Sequence, residues 1–160
     1  MSETKNETLV LRTVHTGLTV SSLDTALEFW CGVLGFELLA RRVIGDGPYV
    51  ENIVGVKGAN LHIAVLNTPD GHKIELLEYL APADRQIIKP RSCDVGSAHI
   101  TFAVSDIDEM LRRVEAAGWS RLGEPQSVAD GPHAGDHVAY VRGPEGHTIE
   151  FFGRSLSANA

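Results

Sequence analysis

The stretch HTGLTVSSLD, residues 15–24, returns as HITFAVSDID, residues 99–108, at a constant offset of 84. Both copies run into a helical pattern that closes on glycine, as Leu34-Gly35-Phe36 and as Ala117-Gly118-Trp119. Further on, PDGHKIE (69–75) is matched by PEGHTIE (144–150) at an offset of 75. Each repeat therefore opens on a histidine, His15 or His99, and closes on a glutamate, Glu75 or Glu150. Two anchored matches in the same order identify an internal duplication, which is read before any single element.

Within each copy the periodicities are legible. Residues 13–20 and 98–104 alternate and are rich in β-branched and aromatic side chains, which predicts strands. Leu23, Leu27, Trp30 and Leu34 recur at helical spacing, as do Ile107, Met110, Leu111 and Val114. Ser22 and Ser105 are read as N-caps, and Gly35 and Gly118 as left-handed helix ends. Further strands follow, closing in hairpins through Thr68-Pro-Asp-Gly71 and Gly143-Pro-Glu-Gly146. The order is βαβββ, twice, an α+β chain. The first repeat spans 9–79, a linker spans 80–97 and the second repeat spans 98–153, as one domain; residues 1–8 and 154–160 are expected to be frayed tails.

Side chains alternate faces along a strand, so parity decides which residues can meet. Ile100, Phe102 and Val104 form an apolar face, and His99 shares the opposite one with Thr101 and Ala103. His15 sits likewise with Gly17 and Thr19. Glu75 points away from Ile74 and Leu76, and Glu150 away from Ile149 and Phe151. Four candidate metal ligands thus lie on faces turned away from the helices. Each alone reads as an ordinary strand residue, but matched acids on the inner face of a sheet need a partner, and a shared divalent cation supplies one.

Composition removes other classes. The 160 residues carry a formal charge of −7, which argues against nucleic acid or an anionic membrane as main partner. Cys31 and Cys93 are too few for a disulfide scaffold. No apolar run approaches the roughly 18–20 residues that cross a bilayer. The opening MSETKNETLVLR is unlike a signal peptide, so a soluble cytoplasmic protein is expected.

The tandem pattern with His15, Glu75, His99 and Glu150 resembles the vicinal oxygen chelate superfamily, which includes glyoxalase I, methylmalonyl-CoA epimerase, extradiol dioxygenases and bleomycin-resistance proteins. The resemblance covers about residues 9–153. It implies a cupped, mostly antiparallel eight-stranded sheet with flanking helices around one divalent metal ion (Zn, Ni, Co, Mn or Fe), and a homodimer acting on a small molecule. Glyoxalase I and the epimerase order their ligands His, Glu or Gln, His, Glu. Epimerases usually have Gln where this chain has Glu75, which leans towards the glyoxalase type.

On that reading a substrate chelates through two neighbouring oxygens, its α-hydrogen becomes acidic, and Glu75 or Glu150 moves the proton through an enolate. The substrate expected is a small 2-oxo or 2-hydroxy compound or an acyl thioester, and the enzyme a lyase or isomerase. His62 and His137, matched at an offset of 75, are placed facing the cup as candidate proton shuttles. Glu51, in Tyr49-Val-Glu51-Asn-Ile, is read on a strand where epimerases carry a catalytic carboxylate. His72 and His147 read as hairpin cover, and Arg41, Arg42, Lys89, Arg91, Arg112 and Arg113 as solvated surface. An Fe(II) dioxygenase with His15, His99 and Glu150 as facial triad is the alternative, weakened by the fourth ligand. A metal-free antibiotic or small-ligand binding protein is the other, weakened by the intact ligand set and the 6% aromatic content.

Overall fold

The computed structural model describes residues 9–155. Of the expected tails, residues 1–8 and 156–160 lie outside the described residues. The chain runs β1 (Thr16–Val20), α1 (Leu23–Trp30), β2 (Glu37–Gly45), α2 (Pro48–Val54), β3 (Asn60–Asn67), β4 (Lys73–Ala81), β5 (His99–Val104), α3 (Ile107–Ala116), β6 (Ser120–Arg121), β7 (Gln126–Ser127), β8 (His137–Arg142) and β9 (Thr148–Gly153). The α+β class and the duplicated order stand. Eight expected strands become nine because Gly123-Glu124-Pro125 interrupts the second strand of the second repeat, leaving β6 and β7 as two-residue pieces. Proline has no N–H to give a ladder, so pairing stops there.

One sheet has the order β1-β4-β3-β2; the other has β5-β9-β8-β6, with β7 also on β8. In each, the strand that follows the opening histidine lies parallel to the strand carrying the closing glutamate, β1 on β4 and β5 on β9. That pairing places a residue of the first strand beside each acid: Gly17 opposite Glu75 and Thr101 opposite Glu150.

The chain packs as two compact units. One holds the described residues up to Leu23 and then Phe36–Leu80; the other holds Asp24–Gly35 and the described residues from Ala81 onward. Duplication and packing thus divide the chain differently, because most of α1 belongs with the second repeat. Aromatic contacts explain this: Phe29 stacks on Trp119 with centroids 4.1 Å apart, and Trp30 meets Phe102 edge-on at 6.5 Å.

In the first unit Ile74 and Leu76 are fully buried on either side of Glu75. The other packing of note involves α2, where a strand is expected around Glu51. Pro48 opens this helix at a position that wants no N–H, and Gly55 closes it with φ 69°, a left-handed conformation open to glycine at no cost. Its Val50 and Val54 pack with Ala59, Leu61, Ile63, Val65, Leu77 and Tyr79. In the second unit Ile149 and Phe151 are buried on either side of Glu150, together with Ala139, Val141 and the α3 residues Ile107, Leu111 and Val114. Burying each such side chain contributes about 1.5–3 kcal/mol before entropy is charged against it. Reversing the parity of either glutamate strand would exchange this apolar row for a carboxylate, so burial fixes where both acids point.

The start of α3 differs from expectation. Asp106, not Ser105, caps α3, accepting from Asp108 N at 3.0 Å and Glu109 N at 3.2 Å. At α1 the Leu23 N–H donates to Glu78 Oε2 at 3.0 Å, so a carboxylate from β4 serves an orphan donor at the helix start.

Candidate metal centre

Each histidine meets its own glutamate. His15 Nε2 lies 3.4 Å from Glu75 Oε2, and His99 Nε2 lies 3.4 Å from Glu150 Oε2. His15 stands just before β1 and His99 opens β5, so each ring comes off the start of its strand and reaches the acid on the parallel neighbour. The rings are 42% and 40% exposed and the acids 21% and 14%, so the imidazoles form the solvent side of each pair and the carboxylates the floor. Among the described residues there is no group of three or more His, Cys, Asp or Glu gathered to hold a metal ion. Two equal imidazole–carboxylate pairs are what the structure presents.

The surroundings of the two pairs differ. Thr101 Oγ1 donates to Glu150 Oε2 at 2.6 Å. Tyr140, opposite Glu150 on β8, brings its hydroxyl to 3.2 Å from His99 Nε2, with the two rings 4.9 Å apart. Burial first, then the charge of Glu150 and a hydrogen bond to it, push the Tyr140 phenol above its usual range, so it remains a protonated donor. Arg142 shares this face, separated from His99 by Thr148, and its Nε and Nη2 are buried without a hydrogen-bond partner.

Other sequence candidates fall elsewhere. Glu51 lies on α2 rather than on a strand, and its Oε1 accepts from Gly58 N at 2.8 Å, closing the loop after the helix. The strand expectation failed because Val50, with Val54 four residues on, marks a helical face, and Pro48 with Gly55 brackets it. His137 pairs with Gly153 while Tyr140 pairs with Glu150, three residues further along the same strand. Odd spacing puts His137 on the opposite face, beside Ala139 and Val141, and corrects its expected place in the cup. Its Nδ1 is buried without a partner. His62 stands opposite Val43 on the β2–β3 pair. Tyr140 and Thr101 were missed as site residues: Thr101 shares the parity of His99 on its own strand, whereas Tyr140 reaches the site only through its register opposite Glu150.

The hairpin reading of His72 stands, since its Nε2 is 2.9 Å from Thr16 Oγ1. So does the surface reading of several arginines: Arg112 and Arg113 both pair with Glu109, and Arg91 with Asp94. Cys31 and Cys93 are free thiols. Among the described residues no helix is long and apolar enough to cross a membrane.

The profile of the glyoxalase/bleomycin resistance protein/dioxygenase superfamily matches residues 12–151. The chain belongs to this superfamily. It is 36% identical over 140 residues to a 2-epi-5-epi-valiolone epimerase from an Actinomyces species, covering 85% of this chain and 75% of that protein. It is 30% identical over 143 residues to a lactoylglutathione lyase from Neisseria meningitidis, covering 88% and 89% respectively. A glyoxalase family protein from Bacillus cereus shares the fold with a TM-score of 0.77 at 29% identity, over 96% of this chain and 99% of that one. The named relatives are enzymes, an epimerase and a lyase, and the chain is an enzyme-like member of the glyoxalase superfamily.

Members of the superfamily usually use a divalent metal, and the donors at both pairs fit one. Imidazole nitrogen and carboxylate oxygen suit zinc, nickel, cobalt, manganese and iron, and the hydroxyls around Glu150 are of the kind that orient a ligating carboxylate.

Proposed function

We propose that the protein is a metal-dependent isomerase of the epimerase type, moving a proton at the carbon beside a carbonyl of a small 2-oxo or 2-hydroxy substrate. The observation carrying this is the pair of equal 3.4 Å His–Glu contacts, His15–Glu75 and His99–Glu150, in a chain 36% identical to an epimerase. These four side chains would hold the ion. When bound it would polarise the substrate carbonyl and make the neighbouring C–H more acidic.

The protein's own groups supply the rest. A glutamate carboxylate takes the proton from that carbon and returns it, to the other face in an epimerisation or to the adjacent carbon in an isomerisation. Tyr140 places its hydroxyl beside His99 on the same sheet face, where it can meet a substrate oxygen. The unpartnered Nε and Nη2 of Arg142 favour an oxygen-rich or anionic substrate there. A homodimer in the cytoplasm completes the reading.

Conversion of a glutathione adduct of a 2-oxoaldehyde is the second form of this chemistry, supported by the 30% identity to lactoylglutathione lyase. The test is proton exchange. Metal-loaded protein in deuterium oxide is given polyhydroxylated cyclic ketones, the glutathione adduct and acyl thioesters, and deuterium at the α-carbon is read by NMR. Uptake from one class, lost with chelator and restored by metal, is expected. No uptake from any of them, with oxygen consumed from a catechol or tight ligand binding by metal-free protein, overturns the proposal.

A further inference from the structure

Between β7 and β8 the loop 128–136 carries a histidine that the proposed reaction leaves unused. Val128 N donates to Asp136 O at 2.8 Å, Gly135 N to Val128 O at 2.9 Å and Asp136 N to His133 O at 2.9 Å, which closes the loop on a fixed path. That path lays His133 against Phe152, with ring centroids 4.5 Å apart. Phe152 follows Glu150 by two residues on β9, so it points to the same face, roughly 6.5 Å further along the strand. Its strand neighbours there are Ala103 and Val138. His133 thus brings a polar ring to an apolar end of the face that carries His99, Thr101, Tyr140 and Glu150.

The imidazole is also oriented. Its Nδ1 lies 3.3 Å from Asp136 Oδ2, while Asp136 Oδ1 meets Arg154 Nε at 3.0 Å. A Cβ on Gly135 would run into that guanidinium, so glycine leaves Arg154 room to reach Asp136. A carboxylate accepts a ring N–H, which places the proton of the neutral ring on Nδ1 and leaves the lone pair on Nε2. The His133 side chain is 46% exposed, and among the described residues its Nε2 has no partner. One nitrogen held by an acid and the other left open is the arrangement of a proton carrier.

We infer that His133 is a second catalytic proton carrier, serving the face of the substrate carbon opposite to the glutamate, with Asp136 as its positioning residue. The inference rests on the proposed function and deepens it by choosing epimerisation over isomerisation. Moving a proton to an adjacent carbon on one face needs a single carrier. Inverting a carbon needs a proton taken from one face and another given to the opposite face. The C–H bond breaks as the carboxylate takes the proton, and the electron pair stays on the substrate. Protonated His133 then gives its Nε2 proton to form the new C–H bond, and the N–H electron pair returns to the ring. In the reverse direction His133 takes the proton and the carboxylic acid gives one. Exchange with water resets both groups between turnovers.

The test separates labelling from inversion. Each configuration of a substrate that takes up deuterium is incubated alone, in deuterium oxide, with metal-loaded wild type, His133→Asn or His133→Gln. Deuterium is read by NMR and configuration by chiral chromatography. The wild type should label and invert. Both variants should keep wild-type metal affinity and still label one configuration with retention. Their rate of inversion should fall by about 10²–10⁴-fold, the usual contribution of a positioned acid–base group. Asp136→Asn should lower kcat for inversion with KM little changed, and nitrogen NMR should show His133 losing its preference for a proton on Nδ1.

Inversion at the wild-type rate in both His133 variants overturns the inference and leaves the proposed reaction standing. A wild type that labels a substrate, or shifts its proton to the next carbon, without inverting it does the same. Equal loss of labelling and inversion, together with weakened metal binding, would make His133 a structural residue and overturn its catalytic part. A wild type that labels no substrate class ends the proposed reaction and the role of His133 together.

Discussion

At Glu109 two guanidiniums converge: Arg112 Nε comes to 2.8 Å and Arg113 Nε to 2.7 Å. Their hydrogen bonds, Arg112 first and then Arg113, hold the Glu109 carboxyl down from the ordinary 4.5 to about 2. The sign follows from linkage. A carboxylate with a depressed folded value stabilises the native state above its unfolded pKa, and that contribution drains away as pH falls towards the folded one. The gap in urea midpoint between wild type and Glu109→Gln should therefore be constant above pH 4.5 and close as pH falls towards about 2. The group is fully exposed, so the gap is small and sensitive to salt. A Glu109 carboxyl that titrates by NMR near 4.5 in the folded protein would refute the pairing.

The element that tests local reading best is α3. Its cap, Asp106, satisfies two of the first orphan N–H groups, those of Asp108 and Glu109. Asp106→Ala should cost about 1 kcal/mol of unfolding free energy, and Asp106→Asn should recover most of it, both read by urea denaturation. An equal loss from Ser105→Ala would return the cap to the residue that the sequence favoured. The same element shows where legibility ends. Ile107, Leu111 and Val114 were readable as its buried face because helical spacing is local information, and the Glu75 and Glu150 strands were readable because alternation is too. The bond from Glu78 to the start of α1, the attachment of α1 to the second unit through Phe29 and Trp119, and the hydroxyls of Thr101 and Tyr140 all depend on partners far away in the chain. His137 was misplaced for the same reason, since its face depends on a register that β9 sets. Glu51 was misplaced for a local reason: four residues of Tyr-Val-Glu-Asn read equally as strand until Pro48 and Gly55 are weighed.

At the scale of the whole molecule, a duplicated chain contributes both pairs once per copy. If two imidazoles and two carboxylates surround one ion, the stoichiometry is one metal per chain, whether the set closes within a chain or between two copies. Pairs acting separately would instead take two. An ion that binds the folded chain and not the unfolded one stabilises by mass action, about 2.7 kcal/mol when free metal is 100 times its dissociation constant. For a protein of this length that is a rise in unfolding midpoint of roughly 5–10 °C. Thermal unfolding of metal-stripped protein, repeated with Zn, Ni, Co, Mn or Fe(II) under anaerobic conditions, should show such a rise with at least one of them. Chelator should reverse it, and mass spectrometry of the native protein should count one ion per chain. The net charge of −7 favours cations over the whole surface, so a small, unsaturable rise shared by every divalent ion would reflect only that field. A saturable rise lost in His99→Ala, with the same variant stripped of its single ion, locates the metal at the paired residues; two ions per chain, or no saturable rise with any of the five, removes the shared site.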